Sequence, residues 1–186
     1  MALTGNNGAG GANYYINEGT VKSVNVNYNV PNKSDDTKIK DVELTVVLEM
    51  TKANGEKFDK TIYISGNYKK NEITNQVEDW GSAFKVRSFF NAVGLTKWST
   101  DDFGILPSSI CEQATGKKLF IIKYKSLDEQ GELLYRTYNM VGKSAESIEK
   151  MFLKDAAGDY PPYKYDPVIE EKDVFQDAII AQGGNV

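Results

Sequence analysis

No histidine occurs anywhere in the 186 residues, and cysteine occurs once, at Cys111. The first absence removes the commonest general base and the commonest zinc ligand together. The second leaves no internal disulfide, and a lone thiol without an imidazole has no partner for Cys-His chemistry. Cys111 is therefore expected to be a small buried residue. No apolar run approaches the roughly 18 residues of a membrane helix, so no membrane partner is expected. The opening stretch, MALTGNNGAGGANYY, has neither the basic nor the apolar region of a secretory signal, which predicts an intracellular protein. Carboxylate pairs occur at Asp35-Asp36 and Asp101-Asp102, but both stand in polar, turn-like sequence where such pairs are solvated. No nucleophile with an activating partner can be assembled, so the expectation is a protein that is not an enzyme and needs no cofactor or metal.

What is present is a chain of ordinary globular composition, 40% hydrophobic and 26% charged, long enough for one well-buried core. Its charge is uneven. Residues 155 to 186 carry seven acidic side chains against two lysines, a net of −5, which leaves +1 for the preceding 154 residues. Three regions follow: a Gly- and Asn-rich arm over 1–13, one domain over 14–154, and an acidic tail over 155–186 that holds a Pro- and Tyr-containing extended stretch and a short apolar segment from Val174 to Ile180.

Within the domain the hydrophobic period is first two and then 3.6. Val24, Val26, Tyr28 and Val30 alternate with Asn25, Asn27 and Asn29, and Val42, Leu44, Val46, Leu48 and Met50 alternate with polar neighbours; both read as half-buried strands. A loop over Asn32 to Lys40 would join them. Asn54-Gly55 predicts a type I′ turn into a third strand with Phe58, Ile62 and Ile64 inward. Ala83, Val86, Phe90 and Val93 then mark an amphipathic helix that Asp79 or Ser82 can start and Gly94 can stop. Phe84 and Phe89 fall off that stripe and are expected to be buried. Ser109-Ile110-Cys111-Glu112 reads as a capping box before a short helix.

Two further strand-like runs, KKLFIIKYK from Lys117 and LLYRTYNMV from Leu133, flank a polar loop over Ser126 to Glu132. After them, Gly142-Lys143-Ser144 lies between strand and helix like part of a phosphate loop. The glycine that such a loop needs five residues earlier is Thr137, so nucleotide triphosphate binding is not expected and Ser144 should cap a helix with Ile148, Met151 and Phe152 on its apolar face. Three strands, a helix and two strands make a mainly β fold with some α. The predicted architecture is an OB-fold-like five-stranded antiparallel barrel with a helix between strands three and four, plus a C-terminal helix and the acidic tail.

The 117–141 hairpin is rich in cations and rings. Lysine and arginine track phosphates while bases stack on aromatic faces, so this composition suits single-stranded nucleic acid. The candidate phosphate contacts are Lys69, Lys70, Lys85, Arg87, Lys117, Lys123, Lys125 and Arg136. The candidate stacking rings are Tyr63, Tyr68, Tyr124, Tyr135 and Tyr138. With Phe120, Ile122 and Tyr124 inward, alternation puts Lys123 and Lys125 outward as phosphate contacts. It also puts Arg136 and Tyr138 together, so Tyr138 is expected to stack and Tyr135 to be core.

The run SFFNAVGLTKWSTDDFGILPSSICEQATGKKLFIIKYKSLDEQGELLYRTYNMV resembles the second half of the single-stranded DNA-binding proteins of tailed bacteriophages. There, too, a helix ends in a small-residue and Gly pair, a variable loop follows, and a Gly-Lys opens a long-looped hairpin. The resemblance covers about residues 80 to 142 and implies a non-enzymatic, sequence-independent single-stranded DNA-binding protein of phage DNA replication, recombination or repair. It implies a place in the host cytoplasm, partner replication or recombination proteins met through the acidic tail, and compatibility with a homodimer. The competing reading of the same residues is a structural or adaptor β-domain of a virion or an interaction module, whose aromatics serve as core or subunit contacts.

Overall fold

The structure is a computed structural model, and it describes residues 14–127 and 130–157. The expected N-terminal arm and the tail beyond residue 157 lie outside the described residues. Five strands make one antiparallel sheet: β1 (Tyr14–Asn32), β2 (Asp35–Thr51), β3 (Lys57–Gly66), β6 (Lys118–Leu127) and β7 (Leu133–Thr137), in the order β3-β2-β1-β6-β7. Between β3 and β6 come β4 (Lys69–Lys70) and β5 (Val77–Asp79), which pair with each other. They are followed by a 3₁₀ turn at Gly81–Ala83, α1 (Phe84–Ala92) and α2 (Ile110–Ala114), and α3 (Ala145–Ala157) follows β7. The fold is thus mainly β and compatible with an OB-like arrangement. No described helix is long and apolar enough to cross a membrane.

Cα packing divides the chain into two compact units. Among the described residues, one comprises 14–19, Glu49–Phe58 and those from Leu119 to Ala157; the other comprises Thr20–Leu48 and Asp59–Lys118. α3 runs to Ala157, so Asp155 lies in that helix.

In the first unit, alternation along β6 and the stripe of α3 meet in one cluster of Tyr14, Ile16, Ile122, Tyr124, Tyr138, Met140, Ile148 and Phe152. The Phe152 ring lies 5.3 Å from Tyr14, 5.3 Å from Tyr124 and 5.4 Å from Tyr138, centroid to centroid. The Tyr14 hydroxyl donates to Glu149 Oε1 at 2.9 Å and the Tyr138 hydroxyl donates to Asp155, so two buried rings find partners on α3. Burial pushes the Tyr124 phenol up to about 12. Ser144 caps α3 as expected, in a reciprocal form: Ser147 N–H donates to Ser144 Oγ and Ser144 N–H to Ser147 Oγ, each at 3.1 Å.

This packing also explains the glycine of Gly142-Lys143-Ser144. A Cβ at Gly142 would stand 2.5 Å from Ile148 Cβ and 2.9 Å from its backbone nitrogen, so the residue is small to let α3 close on the chain. Gly142→Ala should therefore cost about 1–3 kcal/mol of stability, the range of overpacked cores. Lys143→Ala, at an exposed position, should change stability by no more than about 0.5 kcal/mol. Equal and small losses in urea titrations of the two variants would refute this account of the motif.

The second unit buries Val42, Leu44, Val46 and Leu48 of β2, Ile62 and Ile64 of β3, and Ala83, Val86, Phe89, Phe90 and Val93 of the α1 region. The helical stripe is as the spacing predicts, and Phe89 joins it; Phe84 does not and is 41% exposed. Ser109 makes no side-chain cap to α2, and its Oγ accepts instead from Gln113 Nε2. Cys111 is half-buried, and burial pushes its thiol up.

Two turns differ from expectation. Residues 35–40 belong to β2, so the β1–β2 connection is Lys33–Ser34 alone, with Asn32 Oδ1 accepting the Ser34 N–H. In the first unit only Gly55 of the Asn54-Gly55 pair takes positive φ, at +85°. Lys52 and Glu56 are hydrogen-bonded and Gly55 N–H returns to Lys52 O at 2.9 Å, which makes a three-residue loop closed by a glycine in the left-handed region rather than a type I′ turn.

Candidate nucleic-acid interface

In the first unit the β6–β7 register is Lys123 opposite Thr137, Tyr124 opposite Arg136, Lys125 opposite Tyr135, and Leu127 opposite Leu133. Neighbours along a strand face opposite ways, so Lys123, Lys125, Leu127, Leu133, Tyr135 and Thr137 share one face, and Tyr124, Arg136 and Tyr138 share the other. The second face is covered: Tyr124 is 3% and Tyr138 2% exposed, both on Phe152. The parity read from the sequence is right and so is the inward face of β6, but in the partner strand the covered face is the one assigned to stacking. Tyr138 and Tyr124 leave the stacking set as core residues, Arg136 lies half-buried beside them, and Tyr135 moves to the accessible face.

On that accessible face the Lys123 ammonium stands 5.6 Å from the centroid of the half-buried Tyr135 ring, and Lys125 is directly across from it. Tyr15 packs against Tyr135, with centroids 6.1 Å apart. Partial burial against these rings lowers the Lys123 pKa. A ring braced on one side, with a cation over it and a second cation beside it, is suited to a base and its phosphates.

In the second unit Tyr63 is 57% exposed with Lys33 Nζ 5.2 Å from its centroid, so it keeps its place as a candidate. Tyr68 does not. It is 8% exposed, its hydroxyl donates to Gly104 O at 3.0 Å, and its ring packs 5.6 Å from Trp80. Lys70 is tied to Asp41 at 2.6 Å, and the same carboxylate accepts the Tyr68 N–H, so Lys70 anchors the β4 segment instead of reaching solvent. Lys69 and Lys117 are exposed. Arg87 lies over Trp80, 5.4 Å from its ring, and Trp80 in turn meets Trp98 edge-on. Lys85 is half-buried on α1, with its pKa lowered by burial and then by Lys40.

The acids on the outer face of β2 are neutralised locally. In the second unit Lys70 pairs with Asp41 at 2.6 Å and Lys40 with Glu43 at 2.9 Å; in the first, Lys57 pairs with Glu49 at 2.5 Å. The Asp35 carboxylate, at the start of β2, accepts from Thr37, and Asp101 accepts from the Phe103 and Ile105 amides. Among the described residues no three or more Cys, Asp or Glu side chains converge as a metal-ligand set.

Sequence reasoning passed over Trp80, Tyr15 and Lys33, and expected Phe84 to be buried. Trp80 precedes the 3₁₀ turn and lies outside α1, so no helical spacing in the sequence pairs it with Arg87. No family model, curated protein or solved structure matches this chain.

Proposed function

We propose that this protein binds single-stranded DNA without sequence preference, using the accessible face of the β6–β7 hairpin. The observation that carries this reading is the Lys123–Tyr135–Lys125 arrangement, a half-exposed ring with two cations in fixed register around it. Stacking tolerates any base because every base has a π-face, and the lysines contact only the backbone. The order β3-β2-β1-β6, with three consecutive strands and a fourth returning beside the first, follows the Greek-key pattern, and with β7 it is compatible with the five-strand order of an OB fold, which supports this reading. The resemblance of residues 80 to 142 to phage single-stranded DNA-binding proteins extends the reading to phage DNA replication, recombination or repair.

The test is a titration with oligo-dT and a matched duplex across salt concentrations. Each neutralised phosphate contributes about −0.7 to the slope of log K against log salt, so about three to five contacts give a slope between roughly −2 and −3.5. A flat salt response, or equal affinity for the duplex, would overturn the proposal.

A second reading has one observation in its favour. Leu127 and Leu133, paired at the end of the hairpin, are 38% and 64% exposed, an apolar tip of the kind an adaptor uses against another protein.

A further inference from the structure

We propose that the β4–β5 finger of the second unit docks another protein, through a basic segment that lays apolar side chains against Ile73. Ile73, between the two short strands, is 94% exposed, more than any other large hydrophobic side chain among the described residues. A single exposed aliphatic residue is ordinary. What sets this one apart is that the chain holds it out in a fully bonded turn. Asn71 Oδ1 accepts the Ile73 N–H at 2.9 Å and the Thr74 N–H at 3.0 Å, and Asn71 O accepts the Asn75 N–H at 2.9 Å. The Asn71 N–H donates to Gln76 O at 2.9 Å and its Nδ2 to Glu78 Oε1 at 3.0 Å, and Asn75 takes φ +60° to close the loop. Ile73 cannot turn back onto the body without breaking these bonds, so the ordering cost of binding is already met.

The base of the finger is joined to a second turn, where the Val77 N–H donates to Asp102 O at 2.8 Å. In that turn Asp101 Oδ1 accepts the Phe103 and Ile105 N–H groups, each at 2.9 Å, and their side chains are 55% and 42% exposed.

Charge decides the occupant. Residues 69–79 and 101–105 carry Glu72, Glu78, Asp79, Asp101 and Asp102 against Lys69 and Lys70, a net of −3. All five acids are exposed and none is in an ion pair among the described residues, whereas Lys70 is taken by Asp41 at 2.6 Å. Such a rim repels the phosphates of a nucleic acid. It also repels residues 155 to 186, with their net of −5, and a second copy, whose two-fold contact would set the same acids face to face. A cationic protein segment is attracted by the same charges. The inference stands apart from strand binding, which belongs to the hairpin of the first unit.

The experiment selects a random peptide library on the immobilised full chain and measures the enriched peptides against the wild type, Ile73→Ser and Glu72→Lys. The expected peptides set aromatic or aliphatic residues beside lysine or arginine and bind Ile73→Ser between about 10- and 100-fold more weakly, the share of one buried aliphatic side chain. Glu72→Lys should weaken them about two- to fivefold at low salt. The thermal midpoints of both variants should match the wild type, since both side chains are exposed. Enriched peptides that bind Ile73→Ser unchanged, or no enrichment, would overturn the proposal. Loss of oligo-dT affinity in Ile73→Ser would assign the finger to nucleic acid, and a wild-type dimer that Ile73→Ser dissociates would assign it to a second copy; either result also overturns it.

Discussion

Truncating Phe152 to alanine will lower the unfolding free energy by about 3–5 kcal/mol, the range for buried aromatic-to-alanine changes. Phe152 is fully buried on α3, and its ring touches three tyrosines drawn from β1, β6 and the segment just after β7. How much such a cavity costs depends on how far its walls can collapse. Here two of the walls are held at both ends: Tyr14 is fixed through its hydroxyl to Glu149 and Tyr138 through its hydroxyl to Asp155. Both acids lie on α3 within three residues of the deleted ring, so neither tyrosine can move inward without giving up a hydrogen bond. The cost should accordingly sit in the upper part of the range. Urea unfolding followed by far-UV circular dichroism, with the slope against denaturant unchanged, measures it. A loss below about 1 kcal/mol would mean that the cluster repacks and is not the determinant of this unit.

The elements that were legible in the sequence are those whose periodicity is long and one-sided. The alternation of β1 and β2 and the 83-86-90-93 stripe of α1 each span several repeats with one face apolar, and the burial pattern follows them residue by residue. Ser144 was legible because a cap is a local event, decided within three residues. The hairpin was legible only in part. Alternation fixes which side chains share a face but says nothing of which face is covered, and in β6 Ile121 and Ile122 are both buried, so the strand gives no apolar contrast to choose by. The choice is made by α3, which delivers Phe152 to the Tyr124 and Tyr138 face from outside the hairpin. β4 and β5, two and three residues long, are too short to show a period. The first residues of β2, Asp35 to Lys40, are polar apart from Ile39 and mostly exposed, which is loop composition in an extended strand.

Tyr135→Ala is expected to weaken oligo-dT binding by about 1–3 kcal/mol, the usual worth of one base-stacking aromatic. Its stability loss should be smaller, about 0.5–1.5 kcal/mol, because the ring gives up its pairing with Tyr15 but opens no deep cavity. Tyr138→Ala should do the reverse, since it removes a 2% exposed ring from the Phe152 cluster along with the bond to Asp155, and well below its melting temperature it should still bind DNA. The contrast follows from register. Lys125 is opposite Tyr135 and Lys123 lies over its ring, so any phosphate held by these lysines brings its base to Tyr135, whereas Tyr138 points to the side that α3 occupies. Lys123→Met makes the link explicit: with the cation over the ring removed, affinity and salt slope should fall together, while Tyr135→Ala should lower affinity and leave the slope nearly as it was. Stacking is salt-insensitive and phosphate contact is not, so the two variants separate the halves of the site. Full affinity in Tyr135→Ala, with DNA binding lost in the conservative Tyr138→Phe variant, would show that a strand engages the opposite face and that α3 must leave it to let DNA in.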